Sequence, residues 1–116
     1  MREPLQVRRC SDVARARELH AFTQAVFGVL DIAPPSSVLK ETEADFVARL
    51  KDEIVFVIEA DGQLIGSVFC AVKGDALYIG RLAVAPAWRR RGIASVLVEA
   101  AKAEAALAAV VSAIGG

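Results

Sequence analysis

Between residues 54 and 84 three apolar runs follow one another, separated by two short turns, and this repetition constrains the fold more than any other feature. Ile54–Ala60 is rich in β-branched residues and reads as a strand, Asp61-Gly62 as a hairpin turn, and 64–72 as a second strand. Lys73-Gly74-Asp75 then turns the chain into Ala76–Val84, a third strand. Connections this short join only antiparallel neighbours. The third strand is irregular, because Leu77 and Ile79 keep one alternation phase whereas Leu82 and Val84 keep the other. A strand of period two changes phase only through a bulge, and Gly80, beside Arg81, is the residue suited to form it. A bulge leaves backbone groups unpaired.

The flanking segments read as helices around this meander. Residues 5–10 form a short strand candidate, followed by Ser11 and Asp12 as caps for the segment 13–30, where Leu19, Phe22, Val26 and Val29 recur at helical spacing. Pro34-Pro35-Ser36-Ser37 breaks the chain, which makes 31–41 a loop. Thr42 with Asp45 resembles a capping box that starts a second helix through Phe46, Val47 and Leu50. After the third strand of the meander the chain turns through Pro86 and restarts as a helix at Gly92. The Ala-rich stretch 95–109 is a strong helix former, and Val110-Val111-Ser112-Ala113-Ile114 is read as the beginning of a fifth strand. The expected class is α/β (α+β), with a mixed, mostly antiparallel sheet flanked by helices.

A length of 116 residues accommodates a single domain, 1–116, with one core. Basic and acidic residues balance at 14 each, so no global field recruits nucleic acid or an anionic membrane. Cys10 and Cys70 lie in apolar surroundings without metal-ligand spacing, which points to reduced thiols, a cytoplasmic protein and no metal. The N-terminus lacks the apolar block of a signal peptide, and the apolar runs are too short to span a bilayer.

The chemistry concentrates in Arg89-Arg90-Arg91-Gly92-Ile93-Ala94, set between the last strand and the last helix. A helix that starts there points free N–H groups at whatever lies beyond its N-terminus, a place that favours anions. Three arginines at that end are unfavourable to the helix dipole unless an anion joins them. Gly92 removes the side chain that would keep a phosphate from the backbone, and the plainest ligand is a pyrophosphate.

Leu82-Ala83-Val84-Ala85-Pro86-Ala87-Trp88-Arg89-Arg90-Arg91-Gly92-Ile93-Ala94-Ser95 resembles the acetyl-CoA signature of the GCN5-related N-acetyltransferase family, in which a strand ending in Val-x-Pro precedes Arg-x-x-Gly-x-Ala. The resemblance extends over nearly the whole chain and implies an acyl-CoA N-acyltransferase-like fold, in which a bulged fourth strand splays from its neighbour and receives the pantetheine arm. It implies acetyl-CoA as acyl donor and an amine of a small molecule or protein as acceptor. Backbone groups of Leu82, Ala83 and Val84 would hold the pantetheine. Arg89, Arg90 and Arg91, with the amides of Gly92, Ile93, Ala94 and Ser95, would hold the pyrophosphate.

Two departures qualify this. Relatives often carry a glutamate in the fourth strand, where this chain has Tyr78-Ile79-Gly80-Arg81. No catalytic base is therefore assigned; Glu59 and Tyr78 are adequately explained as surface or hairpin residues, and His20 as a surface or half-buried one. Glu41 and Glu43 would attract a cationic amine, and both are also suited to a helix start. In addition, the usual C-terminal strand, helix and closing strands have no counterpart, nor has the tyrosine that serves many relatives as general acid. A homodimer or partner chain completing the sheet is the expectation that follows. The alternative function is a catalytically silent CoA-binding or dimerisation module.

Overall fold

A computed structural model describes residues 5–28, 40–74 and 76–115. The elements run in the order β1 (Val7–Cys10), α1 (Ala16–Gly28), α2 (Glu43–Asp52), β2 (Ile54–Ala60), β3 (Gln63–Lys73), β4 (Ala76–Val84) and α3 (Ile93–Gly115), with single 3-10 turns at Val13–Arg15 and Pro86–Trp88. The strands form one sheet in the order β1-β2-β3-β4, and every described pair is antiparallel. The meander expected from the two short turns is present; Asp61, Gly62 and Gly74 take φ of 53°, 77° and 60°, the left-handed geometry such turns require.

Alternation along the strands divides the core between the two faces of the sheet. Cys10, Val55, Val57 and Phe69 meet Ala16 and Leu19 of α1 and Phe46 and Leu50 of α2 on one face. Phe56, Ile58, Val68 and Cys70 meet Ile93, Leu97 and Ala101 of α3 on the other. Cys10 and Cys70 thus belong to opposite faces, and both are free thiols. The Cys70 thiol donates to the Ile54 carbonyl at 3.4 Å, and burial pushes its pKa up, so it behaves as a small core residue.

Local chemistry sets the helix starts. Asp12 accepts from the Ala14 amide at 2.9 Å, as a cap should, but the first turn is 3-10 and α1 proper begins at Ala16. The expected positions Val29, Leu30 and most of the 31–41 loop lie outside the described residues. The capping box at α2 is as expected: Thr42 accepts from the Asp45 amide at 3.3 Å, and Asp45 accepts from the Thr42 amide at 2.8 Å.

One expectation is overturned. Residues 110–114 do not begin a fifth strand; they continue α3, which runs unbroken for 23 residues. Three β-branched residues at the end of an Ala-rich helix lower its propensity only slightly, and adding a residue to an existing helix needs no new nucleus. Among the described residues no helix is long and apolar enough to cross a membrane.

Candidate functional site

The end of β4 and the start of α3 are shaped by two bulges. On β3, Ile58 faces Gly66 and Glu59 faces Leu64, which leaves Ile65 as an extra residue. Its carbonyl accepts from the Ala85 amide at 2.8 Å, tying the exit of β4 to β3. On β4, Ser67 faces Ala83 and Phe69 faces Gly80, so Arg81 and Leu82 together oppose Val68. The phase slip is therefore real, but its left-handed residue is Arg81, with φ 51°, and not Gly80. Beyond the bulge Ala83 is buried, while Leu82 and Val84 are half-buried against the α3 side of the core.

From Ala85 the chain makes its 3-10 turn, whose Trp88 packs against the same core. The Arg91 guanidinium lies over the Trp88 ring, 5.0 Å from its centroid. Arg90 and Gly92 take φ of 64° and 79°, alternating with Arg91. Left-handed residues spaced in this way turn successive amides toward a common side, an arrangement that suits an anion. A Cβ on Gly92 would meet nothing within 4 Å, so the glycine serves the backbone angle and leaves open space in front of it.

The first intrahelical bond of α3 runs from the Val96 amide to the Gly92 carbonyl at 3.1 Å. Among the described residues, the amides of Ile93, Ala94 and Ser95 have no acceptor, and the first turn carries no acidic side chain. Arg89, Arg90 and Arg91 are exposed, and no carboxylate of the described residues pairs with them. The start of α3 is pressed against β3 at Gly66, where an added Cβ would come within 2.9 Å of Ile93 Cγ2 and 3.1 Å of Leu97 Cδ1. All ten residues singled out from the sequence, Leu82 to Val84 and Arg89 to Ser95, thus fall on one continuous segment, from the end of β4 to the first turn of α3.

Among the described residues, Glu41 is the carboxylate that reaches the bulge. Arg81 Nε donates to its Oε1 at 2.7 Å, and Arg49 Nε donates to its Oε2 at 2.8 Å. Its side chain is only 11% exposed and that of Arg81 22%, so solvent screening does not dissolve the pair. A left-handed L-residue costs about 1–2 kcal/mol, and a hydrogen bond to a charged group returns about 1.5–3 kcal/mol. The ion pair is sufficient to hold Arg81 in its strained position. Burial raises the Glu41 pKa, but the bonds from Arg81 and Arg49 outweigh it and hold the carboxyl below its ordinary range. A carboxylate so stabilised is a weak base.

The other candidate groups have structural partners. Glu59 pairs with Arg15 at 3.2 Å, and Tyr78, 58% exposed, lies beneath Lys73 Nζ at 5.7 Å. His20 is half-buried, edge-on to Phe46, with Nε2 2.8 Å from the Glu41 carbonyl, to which it donates. An open depression of about 270 Å³ is lined by Glu41, Asp45, Arg49, Asp52 and Glu53, with Ala48. Glu41 and Glu53 there are paired with Arg49, and Asp45 caps α2.

Sequence reasoning missed Arg81 and Trp88. The phase slip marked the first, but glycine is the usual left-handed residue and drew the assignment to its neighbour. The second had a signal in its position, the chain's single tryptophan directly before the arginines.

An antiparallel sheet whose bulged last strand feeds a cationic turn into a long helix matches the acyl-CoA N-acyltransferase-like fold, as comparison with known proteins shows. An acetyltransferase (GNAT) domain model matches residues 51–114, more than half of the chain. The chain belongs to the GNAT acetyltransferase family. Among solved structures it is similar to a GCN5-related N-acetyltransferase from Rhodopseudomonas palustris, with a TM-score of 0.74 and 21% identity over 94% of this chain and 70% of that one. An aminoglycoside acetyltransferase from an uncultured soil metagenomic sample gives 0.67 and 26% over 90% and 74%. A predicted acetyltransferase from Clostridium acetobutylicum, solved with acetyl-CoA, gives 0.67 and 18% over 88% and 73%. Comparison with curated proteins returns no match.

Proposed function

We propose that this protein is an acetyl-CoA-dependent N-acetyltransferase, a single domain over residues 1–116, that acetylates an amine of a small molecule or protein. The observation that carries the reading is the start of α3: left-handed Arg90 and Gly92, and, among the described residues, amides of Ile93, Ala94 and Ser95 without acceptors and arginines without carboxylate partners. The acetyl-CoA in the Clostridium structure and the aminoglycoside activity named for the metagenomic one support donor and acceptor class respectively.

Acetyl-CoA, as substrate, supplies a thioester whose C–S bond breaks as the amine forms the new C–N bond, the amine losing a proton and CoA leaving as the thiol. The chain's own contribution is positioning and polarisation. Arg89, Arg90 and Arg91, with the amides of Gly92, Ile93, Ala94 and Ser95, hold the pyrophosphate. Backbone groups of Leu82, which the bulge leaves out of the ladder, and of Ala83 and Val84 beyond it hold the pantetheine arm and polarise the thioester carbonyl. No metal takes part in this reading. Free Cys10 and Cys70 on opposite sheet faces fit a reducing compartment, and we place the protein in the cytoplasm.

A second reading, a silent CoA-binding or dimerisation module, is favoured by two observations. Glu41 is held ionised by two arginines, and β4 is an edge strand with Tyr78 58% and Ile79 41% exposed, open to a second copy or partner chain. Calorimetric titration with acetyl-CoA, followed by thiol release over a panel of amines, separates the two. Binding with amine-dependent release supports the transferase. Binding with no release for any amine supports the silent CoA-binding module, and no binding overturns both the transferase and the CoA-binding readings and leaves the dimerisation module.

A further inference from the structure

Three elements meet at Glu41. Its carbonyl accepts from His20 on α1, one carboxylate oxygen from Arg49 on α2, and the other from Arg81 on β4. The β4 end of this junction is the bulge, and the bulge has a competing position. Cys70 faces Ile79 and Ser67 faces Ala83 on either side of it. Both pairings would survive if the extra residue moved back by one, so that Gly80 and Arg81 opposed Phe69 and Leu82 opposed Val68. Glycine takes the left-handed angle without strain, whereas arginine does not, so backbone preference alone favours that alternative. The bulge nevertheless sits at Arg81–Leu82, with Arg81 at φ 51° and its guanidinium on Glu41.

We propose that Glu41 and Arg81 are positioning residues for the acyl donor: their ion pair locks the bulge one residue beyond Gly80, which keeps Leu82 out of the ladder and its backbone free for the pantetheine arm. In its role for the donor this rests on the acetyl-CoA reading above. The lock itself is a property of the ligand-free chain. Glu41→Gln leaves a single acceptor oxygen and removes the charge that holds both Arg81 and Arg49, and the bulge becomes free to slide toward Gly80. Gly80→Ala removes the alternative, since alanine resists the left-handed angle; in the observed position an added Cβ finds only the Phe69 carbonyl, at 4.0 Å.

The test measures amide hydrogen exchange over residues 79–83 in the ligand-free protein and acetyl-CoA affinity by calorimetry, for wild type, Glu41→Gln, Gly80→Ala and the double variant. In Glu41→Gln, exchange at 79–83 is expected to rise and affinity to fall, each about tenfold, with exchange at the centre of β2 unchanged. Gly80→Ala in the same background restores most of both, a rescue that general destabilisation would not allow. Unchanged exchange in Glu41→Gln, or failure of the rescue, overturns the proposal. Failure of wild type to bind acetyl-CoA, with the exchange response and rescue intact, overturns the role for the acyl donor and leaves the bulge lock standing. Should Glu41→Gln not fold, Arg81→Gln, at the more exposed end of the pair, carries the same comparison.

Discussion

The helices α2 and α3 begin in opposite ways. α2 is closed from within: Thr42 and Asp45 exchange bonds across its first turn, and Glu43 and Asp45 place negative charge on its positive end. At α3 the first-turn amides of Ile93, Ala94 and Ser95 have no acceptor among the described residues, the first turn carries no acid, and arginines crowd the approach. Both helix ends face the same orphan amides and the same dipole. The first is satisfied by its own side chains and contributes stability, whereas the second has no acceptor among the described residues, which is why we propose it as an anion site. An uncapped start with added cations is a cost to the fold, and such a cost at a helix end is a better sign of a site than the charges alone.

Giving α3 the internal anion that α2 already has should produce the largest effect. Gly92→Asp places a carboxylate at the proposed pyrophosphate position, and acetyl-CoA affinity measured by calorimetry should fall at least about a hundredfold, by loss of charge-assisted bonds. Gly92→Ala, which imposes the same left-handed strain without charge, separates the two causes; equal losses in both variants would remove the anion from the explanation. Next in size, Gly66→Ala drives a methyl against Ile93 and should cost about 1–3 kcal/mol by overpacking, lowering the thermal midpoint and shifting the anion turn together.

Thr42→Ala opens α2 instead. About 1 kcal/mol of stability should be lost in denaturant titration, with acetyl-CoA affinity unchanged; a matching loss of affinity would mean that the two helix starts are not independent. The smallest effect is in pH. The Glu41 pKa is depressed in the folded state, so its contribution is complete above the ordinary carboxyl value of 4.5 and is lost as pH falls through the lower folded value. Acid unfolding of Glu41→Gln should therefore show a shallower dependence below that pH than wild type, and identical profiles would show that the ion pair contributes nothing net.

How much of this was legible in the sequence depended on the distance between the partners. The capping box of α2 spans four residues, so spacing alone identified it; the proposed anion turn lies in one stretch from Leu82 to Ser95, short enough for a family resemblance to mark it. The phase change between Ile79 and Leu82 announced a bulge, but which residue adopts the left-handed angle depends on Glu41, 40 positions earlier. Residues 110–114 carried a strand-like composition, yet they extend α3, because propagating an existing helix outweighs a weak local preference.

By itself the sequence determined the antiparallel meander, the helices around it and the cationic, glycine-bearing turn, since these follow from side-chain periodicity and backbone preference over a few residues. Only the tertiary structure decided that Cys10 and Cys70 face opposite sides of the sheet, that Glu41 is spent on two arginines and is a weak base, and that the bulge rests on Arg81. Those outcomes are set by ion pairs and packing between elements far apart in the chain, whose energies appear only once the elements are brought together.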